Sequence, residues 1–212
     1  MLNLPSTVLV NRVMPKKVFY EHLKTTAAIK EQFVQQIERI EMVASIKEAS
    51  IHIPGDKDVA EIDVLALHLK GANVPYEAIE LVARSIPNKL LFVCLTDESC
   101  KLLVRRDRLY ETEWMPPDDA KLELAGSTLG ELWDAIITQV VFGDANSVDL
   151  AGRLERKRRS EALRLELEQV ERKRKSEKQI AKRNALFDRK RTIEEELSRL
   201  EGSPDGEAVP HH

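Results

Sequence analysis

From residue 149 to residue 201 the chain contains no proline, and Gly152 is its only glycine. A stretch of that length with no helix breaker and with charged side chains at most positions is expected to be helix, because neither a strand nor a loop tolerates such a composition. Leu163, Leu167 and Val170 are spaced four then three. Ile193, Leu197 and Leu200 repeat the spacing, with Leu186 seven residues before Ile193. These are two short heptad-like patches, and the seven residues are the expected helical packing seam. Between them, residues 171–185 offer only Ile180, Ala181 and Ala185 as apolar groups. A continuous two-stranded coiled coil would be weak there, so the segment is expected to fold back as a hairpin, to leave its middle solvated, or to bind a partner.

Charge divides the chain at the same place. Residues 1–150 hold 16 Lys+Arg and 23 Asp+Glu, whereas residues 151–212 hold 17 and 13. The whole-chain net charge of −3 therefore hides an acidic body and a basic tail. Within the tail, Arg156, Lys157, Arg158 and Arg159 form one cationic run and Arg172, Lys173, Arg174 and Lys175 a second, with Lys182 and Arg183 beyond. Only this part would be drawn to a polyanion at range. These ten residues are the expected contacts to phosphate or to an acidic partner. The competing reading is a solvated helix laced with pairs such as Glu168–Arg172 and Glu171–Lys175 at i, i+4.

The first 145 residues read as an α+β domain: a mixed sheet with helices on one face, followed by the long charged helix or helical hairpin. Val8, Leu9, Val10 and Val13 suggest an extended start, and Pro15 opens a short helix to Leu23. Thr25 or Thr26 caps a helix expected to reach about Ala44, since Ile29, Phe33, Ile37, Ile40 and Ala44 recur at three- and four-residue steps. Ala60–Leu69 reads as a buried strand, Val74–Ser85 as a helix, and Leu90–Thr96 and Cys100–Arg105 as a hairpin. Short strands are expected near Leu109–Trp114 and Lys121–Leu124, then a helix from Leu129 to Phe142 capped by Gly143. Residues 202–212 read as a disordered tail.

Catalytic signals are sparse. There is no glycine-rich phosphate loop. Cys94 sits among Phe92, Val93 and Leu95, as a buried structural thiol would, and His22, His52 and His68 have no neighbours at metal-ligand spacing. The two cysteines fit a reducing compartment, no stretch has the pattern of a signal peptide or a membrane span, and a cytoplasmic protein is expected. Glu61 with Asp63, and Glu111 with Glu113, each place two carboxylates on one strand face. A magnesium-dependent nuclease built on these four is the alternative, although neither pair is followed by the lysine such a site wants. No other cofactor or metal is implied. A structural coiled-coil dimeriser, with a second copy as its partner, is a further alternative.

Several segments together resemble the family known as domain of unknown function 4391. They are Leu4-Pro5-Ser6-Thr7 with Met14-Pro15-Lys16-Lys17 and Phe19-Tyr20; Glu61-Ile62-Asp63-Val64; Ser85-Ile86-Pro87 before Leu91-Phe92-Val93; Tyr110-Glu111-Thr112-Glu113-Trp114; and Glu177-Lys178-Gln179 with Asn184 and Glu196-Leu197. Val104-Arg105-Arg106 departs from the more aliphatic, lysine-bearing segment expected there. The resemblance implies a bacterial or archaeal protein from restriction- or defence-type loci, encoded beside helicases and DNA methyltransferases, with no activity attached. The expectation is a non-enzymatic accessory protein associated with DNA or with a helicase or methyltransferase partner.

Overall fold

The computed structural model describes residues 2–202. The chain divides between Ser147 and Val148 into two compact units. The first is built on a six-stranded mixed sheet in the order β1-β2-β3-β4-β5-β6. The strands are β1 (Leu9–Met14), β2 (Ile37–Lys47), β3 (Glu61–Leu69), β4 (Lys89–Leu95), β5 (Cys100–Arg105) and β6 (Leu109–Glu111). Only β3 and β4 run parallel, joined by the crossover helix α4, and every other neighbouring pair is antiparallel. In chain order the helices of this unit are α1 (Lys16–His22), α2 (Ala27–Gln35), the single turn α3 (Glu48–Ile51), α4 (Tyr76–Ser85) and α5 (Leu129–Phe142).

β3 is buried at every position from Ile62 to Leu67, so both of its faces are covered. One face sends Leu65, Leu67, Phe92 and Leu103 into a core with Phe19 of α1, Phe33 of α2 and Ile79 and Val82 of α4. The alternate residues Ile62, Val64, Leu91, Val93, Leu102 and Val104 are equally buried. They face the other way, where α5 packs along β3, β5 and β6. Helices thus cover both faces rather than the expected one. The reason is compositional: strands without alternating polar residues have no face fit for water. Thr128 caps α5 by accepting from the Glu131 amide, and Gly143 ends it at φ +81°, a conformation that costs a residue with a Cβ far more.

The helix expected to run to Ala44 stops at Gln35, and Ile37 opens β2. Thr26 does cap it, accepting from the Ile29 amide at 3.3 Å. The misleading signal came from two β-bulges. Opposite β3, Ile37 pairs with Leu69 but Arg39 pairs with His68, and Met42 pairs with Leu65 but Ala44 with Val64. Each bulge adds a residue to β2, so the inward positions fall at Ile37 and Ile40, three apart as on a helix. The second bulge then turns Ala44 and Ile46 to the α5 face and Ser45 and Lys47 to the α4 face. The strand expected near Lys121–Leu124 is reduced to a single bridge between Leu2 and Lys121, and β6 ends at Glu111.

The second unit is a helical hairpin of α6 (Leu150–Ser176) and α7 (Ile180–Glu201). The tail assigned to residues 202–212 lies, beyond Gly202, outside the described residues. Among the described residues, no helix is long and apolar enough to cross a membrane.

Candidate functional site

The hairpin closes on its apolar seam. Leu163, Val170, Ile193 and Leu197 are buried against one another, and Leu167, Leu186 and Leu200 pack around them half-buried. The two heptad-like patches therefore meet within one chain. The surface that a dimeriser would offer to a second copy is covered by the chain's own second helix. The seam ends at Val170 and Leu186; Ile180, toward the turn, and Phe187, next to Leu186, are exposed.

Ion pairs line the closed part. Arg159 meets Glu196 at 2.7 Å, Arg189 meets Glu166 at 2.6 Å, and Lys190 reaches Glu171. Arg159, early in α6, pairs late in α7, whereas Glu166 and Glu171 pair nearer the start of α7, as antiparallel packing requires. Within the helices, Arg156 pairs with Asp149, Lys157 with Glu161, Arg158 with Glu155, Arg172 with Glu168 and Arg191 with Glu195. The first cationic run, Arg156–Arg159, is thus compensated residue by residue. Glu171 does not make the expected pair with Lys175, because Lys190 across the hairpin takes it. Hydrogen bonds from Lys190 and Arg159 hold Glu171 and Glu196 below the usual carboxylate range. Each exposed pair is worth little by itself, because solvent screens it.

The turn is different. Lys173, Arg174, Lys175, Lys178, Lys182 and Arg183 have no ion-pair partner among the described residues. Between positions 173 and 183 the sole carboxylate is Glu177, and it accepts from the Gln179 amide at 2.8 Å, at the start of α7. Arg174 also carries a buried Nε with no hydrogen-bond partner. Six cationic side chains therefore flank one helix–helix turn without an ion pair among the described residues, Glu171 acting on Arg174 and Lys175 only at longer range. The ten basic residues of the sequence pattern split into a compensated group (Arg156, Lys157, Arg158, Arg159, Arg172) and an open one (Lys173, Arg174, Lys175, Lys182, Arg183). Lys178, which the sequence places just beyond the second cationic run, joins the open group.

The four carboxylates of the nuclease alternative do not converge. Glu61 and Asp63 lie at the amino end of β3, whereas Glu111 is on β6, three strands across, or roughly 14 Å at about 4.8 Å per strand. Glu111 is engaged with Lys101 at 2.8 Å and accepts from the Tyr76 hydroxyl at 2.8 Å. Lys101 is itself buried and lies 5.5 Å from the Trp114 ring. Glu113 is exposed beyond the end of β6. Cys94, beside this cluster, is buried, and burial pushes its thiol up to about 12, which leaves it inert at neutral pH. Among the described residues no three His, Cys, Asp or Glu side chains gather around one point, so the four carboxylates do not form a shared metal centre.

A two-faced mixed-sheet unit followed by a charged helical hairpin defines the architecture, and its most distinctive surface is the cationic turn. The chain belongs to the family described as a domain of unknown function (DUF4391), whose model matches residues 2–197, through the sheet unit and nearly all of the hairpin. No curated protein and no solved structure matches it.

Proposed function

We propose that this protein is a non-enzymatic accessory factor that contacts DNA through the turn of its helical hairpin. One observation supports the reading: the hairpin's cations are paired with its own carboxylates along α6 and α7, but among the described residues Lys173, Arg174, Lys175, Lys178, Lys182 and Arg183 form no ion pair. Concentrated positive charge without internal counter-charge attracts a polyanion, and lysine and arginine reach phosphate oxygens without reading bases. Contact of this kind is indifferent to sequence and sensitive to salt. The protein would act in the cytoplasm, with a helicase or methyltransferase working on the same DNA as its protein partner.

The test is fluorescence anisotropy of a labelled duplex with the full chain, against a variant in which the six turn residues are changed to glutamine. At about 0.9 per neutralised phosphate, full engagement gives a log–log salt slope approaching roughly −5. The variant should lose most of the binding and most of the slope. A variant that binds the duplex as well as the wild type overturns the reading.

A further inference from the structure

The second bulge of β2 brings Ser45 and Lys47 to the face of the sheet where Glu61 and Asp63 stand, with Ser45 directly opposite Asp63 and Lys47 opposite Glu61. Asn88, from the loop between α4 and β4, closes the group by donating its side-chain amide to Asp63 Oδ2 at 2.8 Å. Asp63 is only 4 % exposed and Ser45 only 7 %. The Ser45 hydroxyl donates to the Glu61 carboxylate, and Lys47 stands 3.6 Å from the same carboxylate on its solvent side. Glu61 itself lies within hydrogen-bonding reach of Asp63.

Asp63 has no such compensation. No cation of the described residues pairs with it, and its Oδ1 is buried without a hydrogen-bond partner, the one carboxylate oxygen among the described residues in that state. A buried carboxylate oxygen left bare is costly, and native folds fill such positions with a proton, a water or an ion. Burial and the neighbouring Glu61 carboxylate push Asp63 above the usual carboxylate range, a penalty that a cation between the two would relieve. Asn88 donates to Asp63 and Ser45 to Glu61, so both carboxylates are engaged as acceptors. Two carboxylate groups and a hydroxyl, with no nitrogen or sulfur ligand nearby, are the donor set of a hard cation.

We infer that Asp63 Oδ1, the Glu61 carboxylate and Ser45 Oγ hold one divalent cation of the magnesium class at the amino end of β3. Water or a ligand phosphate supplies the remaining coordination, as is usual for magnesium bound by one or two carboxylates. The site involves none of the hairpin residues, so failure of DNA binding by the hairpin turn leaves it standing.

The experiment is titration of the full chain with Mn2+, followed by loss of the free-ion signal in electron paramagnetic resonance. The wild type should take up one Mn2+ per chain, displaced by excess Mg2+. Asp63→Asn, which keeps the shape of the side chain, should weaken uptake at least about tenfold, as loss of a ligand does. Glu61→Gln, at the partly exposed rim, should weaken it too, and it decides the matter alone if Asp63→Asn does not fold. Absence of saturable uptake by the wild type overturns the inference. So does uptake that both variants leave unchanged, since the ion would then sit elsewhere.

Discussion

Lys101 shows how a single residue can fix the requirements of its surroundings. It is a buried residue of β5, between β4 and β6 in the sheet, and its ammonium meets Glu111 and the Trp114 ring. Removing Glu111 leaves a buried charge with little to hold it, and loss of one partner of such a pair is far more damaging than replacement of both. Because Glu111 is about a third exposed, Glu111→Ala should cost roughly 2 kcal/mol in urea unfolding, less than the roughly 3–5 kcal/mol for breaking a fully buried pair. The double variant Lys101→Met/Glu111→Leu should recover much of it. Equal destabilisation in both would show that the pair is not coupled. The two cysteines make a second residue-scale expectation. Cys94 and Cys100 are buried and burial raises both thiols, so neither should react with a thiol reagent at neutral pH until urea unfolds the chain. Prompt reaction of the native protein would contradict this.

At the scale of elements, the hairpin depends on very few apolar contacts. Leu163 and Ile193 are almost fully buried, and truncation of either to alanine should cost about 2–4 kcal/mol. Hydrogen exchange should report this as lost amide protection across α6 and α7. Unchanged protection would mean that the ion pairs, rather than the seam, close the hairpin. The seam was readable in the sequence, because heptad spacing is a direct projection of helix geometry. So were β3, β4, β5 and the crossover α4, whose apolar runs and turn residues agree. β2 was not readable. Its bulges change the spacing of inward residues from two to three, and nothing in Ile37-Glu38-Arg39-Ile40 distinguishes that from a helical turn. The candidate sites were half legible. Composition reveals where the basic residues lie, but which of them have a carboxylate within reach depends on the hairpin's register, and Glu171 choosing Lys190 over Lys175 is a fact of three dimensions. The Glu61–Asp63 pair was visible as spacing, while the bare oxygen of Asp63 was not.

For the whole molecule, the decisive property is the separation of charge along the chain. The acidic residues dominate before position 150 and the basic ones after it, while the calculated isoelectric point is about 6.0. Salt should therefore act selectively. Raising it from about 50 to 200 mM weakens exposed attractions to phosphate steeply, yet leaves the buried seam of the hairpin intact. Helicity measured by circular dichroism should stay constant over that range while duplex binding falls by orders of magnitude. A parallel loss of helicity would mean that the ion pairs are structural.

The unpaired turn also has a practical corollary at the purification bench. At pH 7.5 the bulk charge of this protein is negative, and an isoelectric estimate would assign it to an anion-exchange resin. Chromatographic media, however, sense local potential rather than the algebraic total. The same preparation should also be held by a sulfonate or heparin column, and the glutamine-substituted turn should pass straight through it.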